Sequence, residues 1–481
     1  MATEGKPIMN TAHDAQVGAV EQRGIDLVPE NERHGKPRDL FFMWLGTNTN
    51  VFYIINGALL ISLGLSFLQS LWIILIGNIV GFFLLGLTSL QGPRTGTSTF
   101  AINRAAFGPN GGRLLAFFNW LTLVGFEGSG VALAVIALLT LMRSLGWSAA
   151  DATWVKIVVI LLVAAVQVYI PTLGHATIMV VQKVLAWVFV AFFLIVTILI
   201  ASKAQLTGGH AGTFATITLG FALMVSAGGI SWANTGSDYS RYLPKNAKPS
   251  AIFWYSSLGG MLPAILLEIV GAAVAAQLPS ASDPISGLPS ALPAWFLASY
   301  LLLLFFNLLA VNAIDLYSSG LTLQTIGLRV KRWVATLIDM VICTVLAAIA
   351  IFNANFNTLY GEFLSLLIIF LAPWCAIYLT DAWLRRNTYN AEGLLARIGG
   401  PYWYQGGINP AGIIAMIGGM IASALWLNST LLQGPLSRLF GNSDMSVFAG
   451  FIVAGVLYFL LARVFVLSKR PVQDEVQSAG K

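Results

Sequence analysis

Six ionisable side chains fall inside long apolar runs of this 481-residue sequence: Glu127, Lys183, Glu268, Asp315, Asp339 and Glu362. In hydrocarbon such a group is expensive, so it is expected to face a partner or a cavity. Asp315 is the most informative. It sits in the middle of FFNLLAVNAIDLYSSGLTLQ (305–324), where Asn312, Asp315 and Ser319 recur at helical spacing on one face; Asn307 is offset from it. A polar stripe on a lipid-embedded helix must look inward. Asp339 and Glu362 lie near the ends of their runs and read as solvated or interfacial, and Lys183 can snorkel toward headgroups. Glu127 reads equally well as a titrating group or as a hydrogen-bond partner of a neighbouring helix.

Aromatic residues accompany these groups. LLAFFNWLTLVGFEGSGVALA (114–134) holds Asn119, Trp120, Phe126 and Glu127 beside small residues, and GGISWANTGSDYSRYLPK (228–245) places Trp232 where an apolar run is interrupted. Two such rings can hold a planar ligand by stacking, worth about 0.5–1.5 kcal/mol per pair beyond burial. Polar groups at the slot's edge would then read the ligand's donors and acceptors.

The elements that must position these residues are membrane helices. The chain is 57% hydrophobic and only 10% charged, which excludes an ordinary soluble domain. Runs such as 179–201 and 299–311 with its flanks can cross a hydrocarbon core of ~30 Å. They do not alternate polar and apolar residues, which argues against a β-barrel. Twelve spans are expected, near 41–66, 70–90, 113–142, 153–170, 177–201, 213–236, 251–276, 295–327, 334–352, 361–384, 409–428 and 446–468. Lys and Arg concentrate in alternate connections (Arg94, Arg104; Arg241, Lys245, Lys248; Arg329, Lys331, Arg332; Arg385, Arg386, Arg397; Lys469, Arg470), so both termini are expected in the cytoplasm. This asymmetry accounts for the net charge of +6 without a nucleic-acid partner. No signal peptide is expected, since about forty polar residues precede the first apolar run. Cys343 and Cys375 both lie in expected spans, and with four scattered His they indicate neither disulfides nor a metal site.

Two spans are broken. The first carries WLGTNTN (44–50) and the sixth carries the Gly228–Gly229 interruption. Small residues also let helices pack closely, but a pair of Gly-interrupted spans in corresponding positions points to a transport site near the bilayer midplane. Gly46, Asn48, Gly229 and Trp232 are therefore expected at the site, with Phe126, Trp120, Asn312 and Asp315.

Three ordered motifs carry a family resemblance over nearly the whole chain. GIDLVPENERHGKPRDLFFMWLGTNTN (24–50), WANTGSDYSRYLP (232–244) and NAIDLYSSGLTLQ (312–324) resemble elements of the nucleobase–cation symporters, purine–cytosine permease branch; APWCAIYLTDAWLRR (372–386) is a looser match. The resemblance implies an all-α polytopic membrane protein of twelve transmembrane helices: an inverted five-plus-five helix repeat, of the amino acid–polyamine–organocation superfamily type, plus two C-terminal helices. It divides the chain into a cytoplasmic tail (1–40), a first repeat (41–201), a second (213–384), two additional helices (409–468) and a C-terminal tail (469–481). It also implies that aromatics of the third and sixth spans sandwich the base. Trp232 matches the latter. The family's third-span Gly-Trp is Gly125-Phe126 here, so the role passes to Phe126, with Trp120 the alternative.

Two departures bear on coupling. The family's substrate-binding asparagine corresponds to Asp315, which accepts only when ionised and both donates and accepts when protonated. Sodium-coupled relatives carry hydroxyls about a turn and a half earlier, where Leu309 and Ala310 stand here. The resemblance thus implies proton-coupled import of cytosine or a purine without a cofactor, with Asp315 or Glu127 as the titrating group. Sodium coupling, or another cargo (hydantoin, allantoin, thiamine or a vitamin B6-type pyridine), is the alternative. The segment SDYSRY (237–242) is expected to cap the sixth span and pair Asp238 with Arg241. A channel is disfavoured by the two breaks, primary active transport by the lack of a Walker-type loop, and an enzyme by the lack of a nucleophile–base pairing.

Overall fold

The computed structural model describes residues 17–207, 211–353, 356–396 and 398–464; the first 16 residues of the expected N-terminal tail, Arg397, the end of the expected last span (465–468) and the whole expected tail 469–481 with Lys469 and Arg470 lie outside the described residues. Its helices are α1 (Pro37–Asn48), α2 (Val51–Ser62), α3 (Phe67–Thr88), α4 (Arg104–Ser144), α5 (Thr153–Leu173), α6 (His175–Ile200), α7 (Phe214–Ala227), α8 (Gly229–Ala233), α9 (Gly236–Ser240), α10 (Pro249–Ala275), α11 (Leu297–Ile326), α12 (Arg332–Asn353), α13 (Phe356–Leu384), α14 (Pro410–Trp426) and α15 (Ser446–Ala462). Among the described residues nine helical stretches are long and apolar enough to cross a membrane, and α2, α14 and α15 are shorter apolar helices. Large apolar side chains such as Leu161, Leu194, Trp187 and Val341 stay exposed on the outer helices, as a lipid solvent requires. The third span starts earlier than expected. α4 runs from Arg104 and bends at Gly108 (φ 80°), just before Pro109, whose ring and missing N–H break the ladder.

The first break is closed by its own polar residues. α1 stops at Asn48 and α2 starts at Val51, so backbone groups are freed in the interior. Asn48 Nδ2 donates to Trp44 O (2.9 Å), Thr49 Oγ1 to Leu45 O (2.6 Å) and Asn50 Nδ2 to Thr47 O (2.8 Å), while Asn50 Oδ1 caps α2 by accepting from the Phe52 N–H (3.0 Å). Asn307, on α11, completes the repair by donating to Thr49 O (2.8 Å). The consecutive polar residues therefore supply hydrogen bonds to backbone groups at the break, which a bilayer would otherwise penalise heavily.

The second break rests on close backbone approach. A Cβ on Gly229 would lie 2.1 Å from Gly81 C and Phe82 N of α3, so only glycine permits the crossing. Ser231 Oγ donates to Gly228 O (2.7 Å) and Thr235 Oγ1 to Trp232 O (3.0 Å). Asn234 Nδ2 donates to Asn119 Oδ1 (2.6 Å), whose Nδ2 reaches Thr322 Oγ1 (3.3 Å); this ties the break to α4 and α11. Gly57 and Gly271 make the same kind of backbone contact between α2 and α10.

The N-terminal segment closes one end of the bundle, the tail end. Glu21 is buried between Arg241 (3.2 Å) and Arg332 (3.7 Å). It also accepts hydrogen bonds from the His175 N–H (2.7 Å) and from the hydroxyls of Tyr242 (2.7 Å) and Tyr317 (3.2 Å). Arg241 donates to Gly24 O (2.6 Å), and Thr97 Oγ1 to Ile25 O (2.6 Å). The expected Asp238–Arg241 pair is thus replaced: Arg241 turns to Glu21, and Asp238 accepts from the Thr99 N–H (2.8 Å). A residue 220 positions away in sequence supplies the counter-charge, which local spacing could not reveal.

Candidate functional site

The two breaks and the polar stripe of α11 meet at one slot. It is lined by Asn50, Phe52 and Tyr53 of the first break, Ala227, Ser231 and Trp232 of the second, Phe126 of α4, and Val311, Asn312 and Asp315 of α11. Its free volume, about 30 Å³, makes it narrow. Trp232 is held edge-on by Trp44 (centroids 5.6 Å, interplanar 63°) and Phe126 by Phe363 (5.0 Å, 79°). Asn312 donates Nδ2 to Glu127 O (3.0 Å), leaving Oδ1 as the freer end of its amide. A Cβ on Gly130 would collide with this side chain, so the glycine makes room for it. Asp315 lines the slot nearly buried, and among the described residues nothing hydrogen-bonds its carboxyl.

Other expected site residues lie nearby but not in the lining. Trp120 points away and donates Nε1 to Asp339 Oδ1 (2.9 Å). Gly46 lets α1 approach the backbone of Gln182 on α6, and Gly229 meets α3. Asn48 accepts from the Tyr53 hydroxyl and shapes the break behind the slot. The Glu127 side chain faces α12, where Cys343 Sγ donates to Oε2 (3.0 Å). Asp339 is fully buried, contrary to the solvated reading, and accepts from Trp120 and Ser319. The Glu127 and Asp339 carboxyls and the Cys343 sulfur all lie within 4.8 Å of one another. Glu268, also buried, accepts from Asn78 Nδ2. Sequence reading missed Asn50, Phe52, Tyr53, Ala227, Ser231 and Val311 as lining residues, although the four-residue polar run ending at Asn50 was an available signal for the first of them.

A cavity of about 700 Å³ lies beside the slot, toward the end opposite the N-terminal segment. Its lining descends α7 from Leu219 through Ala222 and Ser226, next to slot residue Ala227, and includes Leu59, Leu63 and the connection between α14 and α15. On the tail side the slot is shut by buried rings: Trp44 packs on Tyr239 (5.6 Å), and Tyr239 hydroxyl donates to Ile314 O (2.6 Å). Beyond them a separate cavity of about 280 Å³ is lined by Asp39, His175, Lys183, Tyr239 and Tyr242.

A multi-span helical bundle with a narrow internal slot between two broken helices, and a larger cavity beside it, has the form of an integral membrane transporter. Residues 27–450 match the family model described as permease for cytosine/purines, uracil, thiamine, allantoin, and the chain belongs to that family. It is a permease, not an enzyme. A Bacillus subtilis (strain 168) protein provisionally named purine-cytosine permease YxlA is 28% identical, covering 95% of this chain and 99% of its own. Purine-cytosine permease fcyB of Emericella nidulans is 26% identical over 92% and 88%. The solved structure of Mhp1, a nucleobase-cation-symport-1 family transporter in a closed conformation with bromovinylhydantoin bound, shares the fold: TM-score 0.76, 18% identity, 93% of this chain and 97% of that one.

Proposed function

We propose that the protein imports a planar nucleobase, cytosine or a purine, together with a proton by alternating access. The observation that carries this reading is the unengaged Asp315 carboxyl on the edge of a slot walled by Trp232 and Phe126. A ring between the two aromatics would present its edge to α11. A protonated Asp315 offers one donor and one acceptor, which complements the ring nitrogen and exocyclic amine of cytosine or adenine. Asn312 Oδ1, left free to accept, favours a ligand with a further N–H. A ligand lacking these groups leaves buried polar atoms unpaired, at roughly 1–3 kcal/mol each.

Proton rather than sodium coupling rests on the eighth span. Leu309 and Ala310 bring no hydroxyl, and the Ala310 carbonyl already accepts from Gln182 Nε2 (2.6 Å), whereas a hard cation wants several free oxygens. With both termini cytoplasmic, by the positive-inside rule, the larger cavity opens outward and the N-terminal segment seals the inner mouth. The inverted repeat and twelve spans are part of the same reading.

Uptake of labelled cytosine and adenine into proteoliposomes, under an inward proton gradient and separately under an inward sodium gradient, tests the reading. Accumulation driven by protons alone is expected. Sodium drive would overturn the coupling, and no uptake of either base under either gradient would transfer the assignment to a hydantoin, allantoin, thiamine or pyridine cargo.

A further inference from the structure

Behind the slot, α4, α11 and α12 enclose a second polar cluster that substrate binding does not use. Asp339 receives two donors, Trp120 Nε1 on Oδ1 (2.9 Å) and the Ser319 hydroxyl on Oδ2, so its carboxyl is held as an acceptor on both oxygens. Glu127 receives only the Cys343 thiol on Oε2 (3.0 Å), and its Oε1 is buried without a hydrogen-bond partner. Both residues are 0% exposed. Their carboxyl oxygens and the Cys343 sulfur lie within 4.8 Å of one another.

No cation balances this cluster among the described residues. From α4 it is faced by Trp120 and Glu127, from α11 by Asp315 and Ser319, and from α12 by Asp339 and Cys343. The arginine at the start of α12, Arg332, is committed to Glu21, Pro171 O and Thr172 O. Two carboxylates this close in a dry interior cannot both be charged without a counter-ion. One proton shared between them resolves this, with Glu127 the group free to donate and Asp339 the group prepared to accept.

We propose that Glu127 and Asp339, locked between α4, α11 and α12 behind the slot, hold the coupling proton, leaving Asp315 to read the substrate; this rests on the proton-symport reading. The link to the slot is structural. Asn312 lines the slot and donates to the Glu127 carbonyl, while Ser319, two turns along the same stripe, holds Asp339. Movement of α11 between the two access states therefore acts on ligand and carboxyl pair together. Release therefore requires that the inward state admit water to the pair: there the shared proton passes to that water, which solvates both carboxylates, and from the outside one proton is taken up again; no other bond changes.

The experiment uses the full chain in proteoliposomes with labelled cytosine. Wild type is measured first: if a proton gradient does not drive accumulation, the symport reading fails and this proposal with it, before any variant is made. Given proton drive, cytosine affinity in wild type should fall about tenfold per pH unit above the titration of the pair, one proton being bound with each base. Asp339→Asn and Glu127→Gln should flatten that profile and abolish proton-driven accumulation, while counterflow exchange of cytosine continues. Asp315→Asn, which alters the edge contact with the base, should change cytosine affinity while leaving its slope with pH unchanged. Wild-type pH dependence in both pair variants, or a pH profile flattened by Asp315→Asn and not by the pair variants, would overturn the assignment. If neither pair variant reaches the membrane folded, Cys343→Ala decides: removing the donor to Glu127 should displace the midpoint of the affinity profile, and an unmoved midpoint counts against the pair.

Discussion

The two tryptophans of the site region show how residue chemistry depends on direction. Trp232 presents its ring to the slot, whereas Trp120 spends its N–H on Asp339. Loss of the Trp232 stacking contact is worth about 0.5–1.5 kcal/mol, or roughly 2–13-fold in affinity, and the ring's buried area adds to this. Trp232→Ala is therefore expected to reduce cytosine uptake below detection in protein that still inserts and elutes as a folded species; normal uptake would remove Trp232 from the site. Trp120→Phe should leave cytosine affinity at low pH within about twofold of wild type, since stacking is untouched. A large loss of affinity at low pH would restore Trp120 as the third-span platform.

Elements are held at two kinds of junction, and each can be tested separately. The α3–α8 crossing depends on bare backbone at Gly81 and Gly229. Gly229→Ala would push a methyl group against main chain that cannot rotate away, so a loss of about 1–3 kcal/mol is expected, read as a lowered melting temperature in detergent. The N-terminal segment is held by charge. Burial works against the Glu21 carboxylate, but the Arg332 and Arg241 guanidiniums, with hydrogen bonds from the His175 N–H and Tyr242, hold its carboxyl below the usual range. A depressed carboxyl stabilises the fold above the unfolded-state titration, and this contribution disappears as pH falls through the depressed value. Glu21→Gln leaves two buried arginines without their counter-ion, a cost of about 3–5 kcal/mol. The variant should expose residues 17–36 to limited proteolysis at neutral pH, where wild type resists. Equal resistance would mean that the surrounding hydrogen bonds suffice.

At the scale of the whole molecule, the larger cavity lies beside the slot on one side and the Trp44–Tyr239 rings stand on the other. Ala222 lies in the larger cavity and Met179 in the smaller one beyond the Trp44–Tyr239 barrier. With the tail end cytoplasmic, a membrane-impermeant maleimide should label Ala222→Cys from outside and Met179→Cys only from inside, both native cysteines being buried. Reversed labelling would invert the orientation. Added cytosine should protect Ala222→Cys if the transporter closes over its ligand on the way to the inward state.

Apolar runs, their lengths and the two polar interruptions determined the membrane class, the helical architecture and where the chain breaks. Those properties follow from the bilayer's intolerance of unpaired backbone, which acts along the sequence itself. Asn312, Asp315 and Trp232 were legible because helical spacing or a helix break fixed which way they must look. What only the tertiary structure decided was partnership. Asp339 became interior because α12 packs against α4 and α11, Trp120 became its donor, and Arg241 took Glu21 from a distant segment instead of Asp238 nearby. Near a helix end, spacing alone does not say whether a carboxyl meets water or another helix, and charge pairing is settled by distance in space, which helix packing creates.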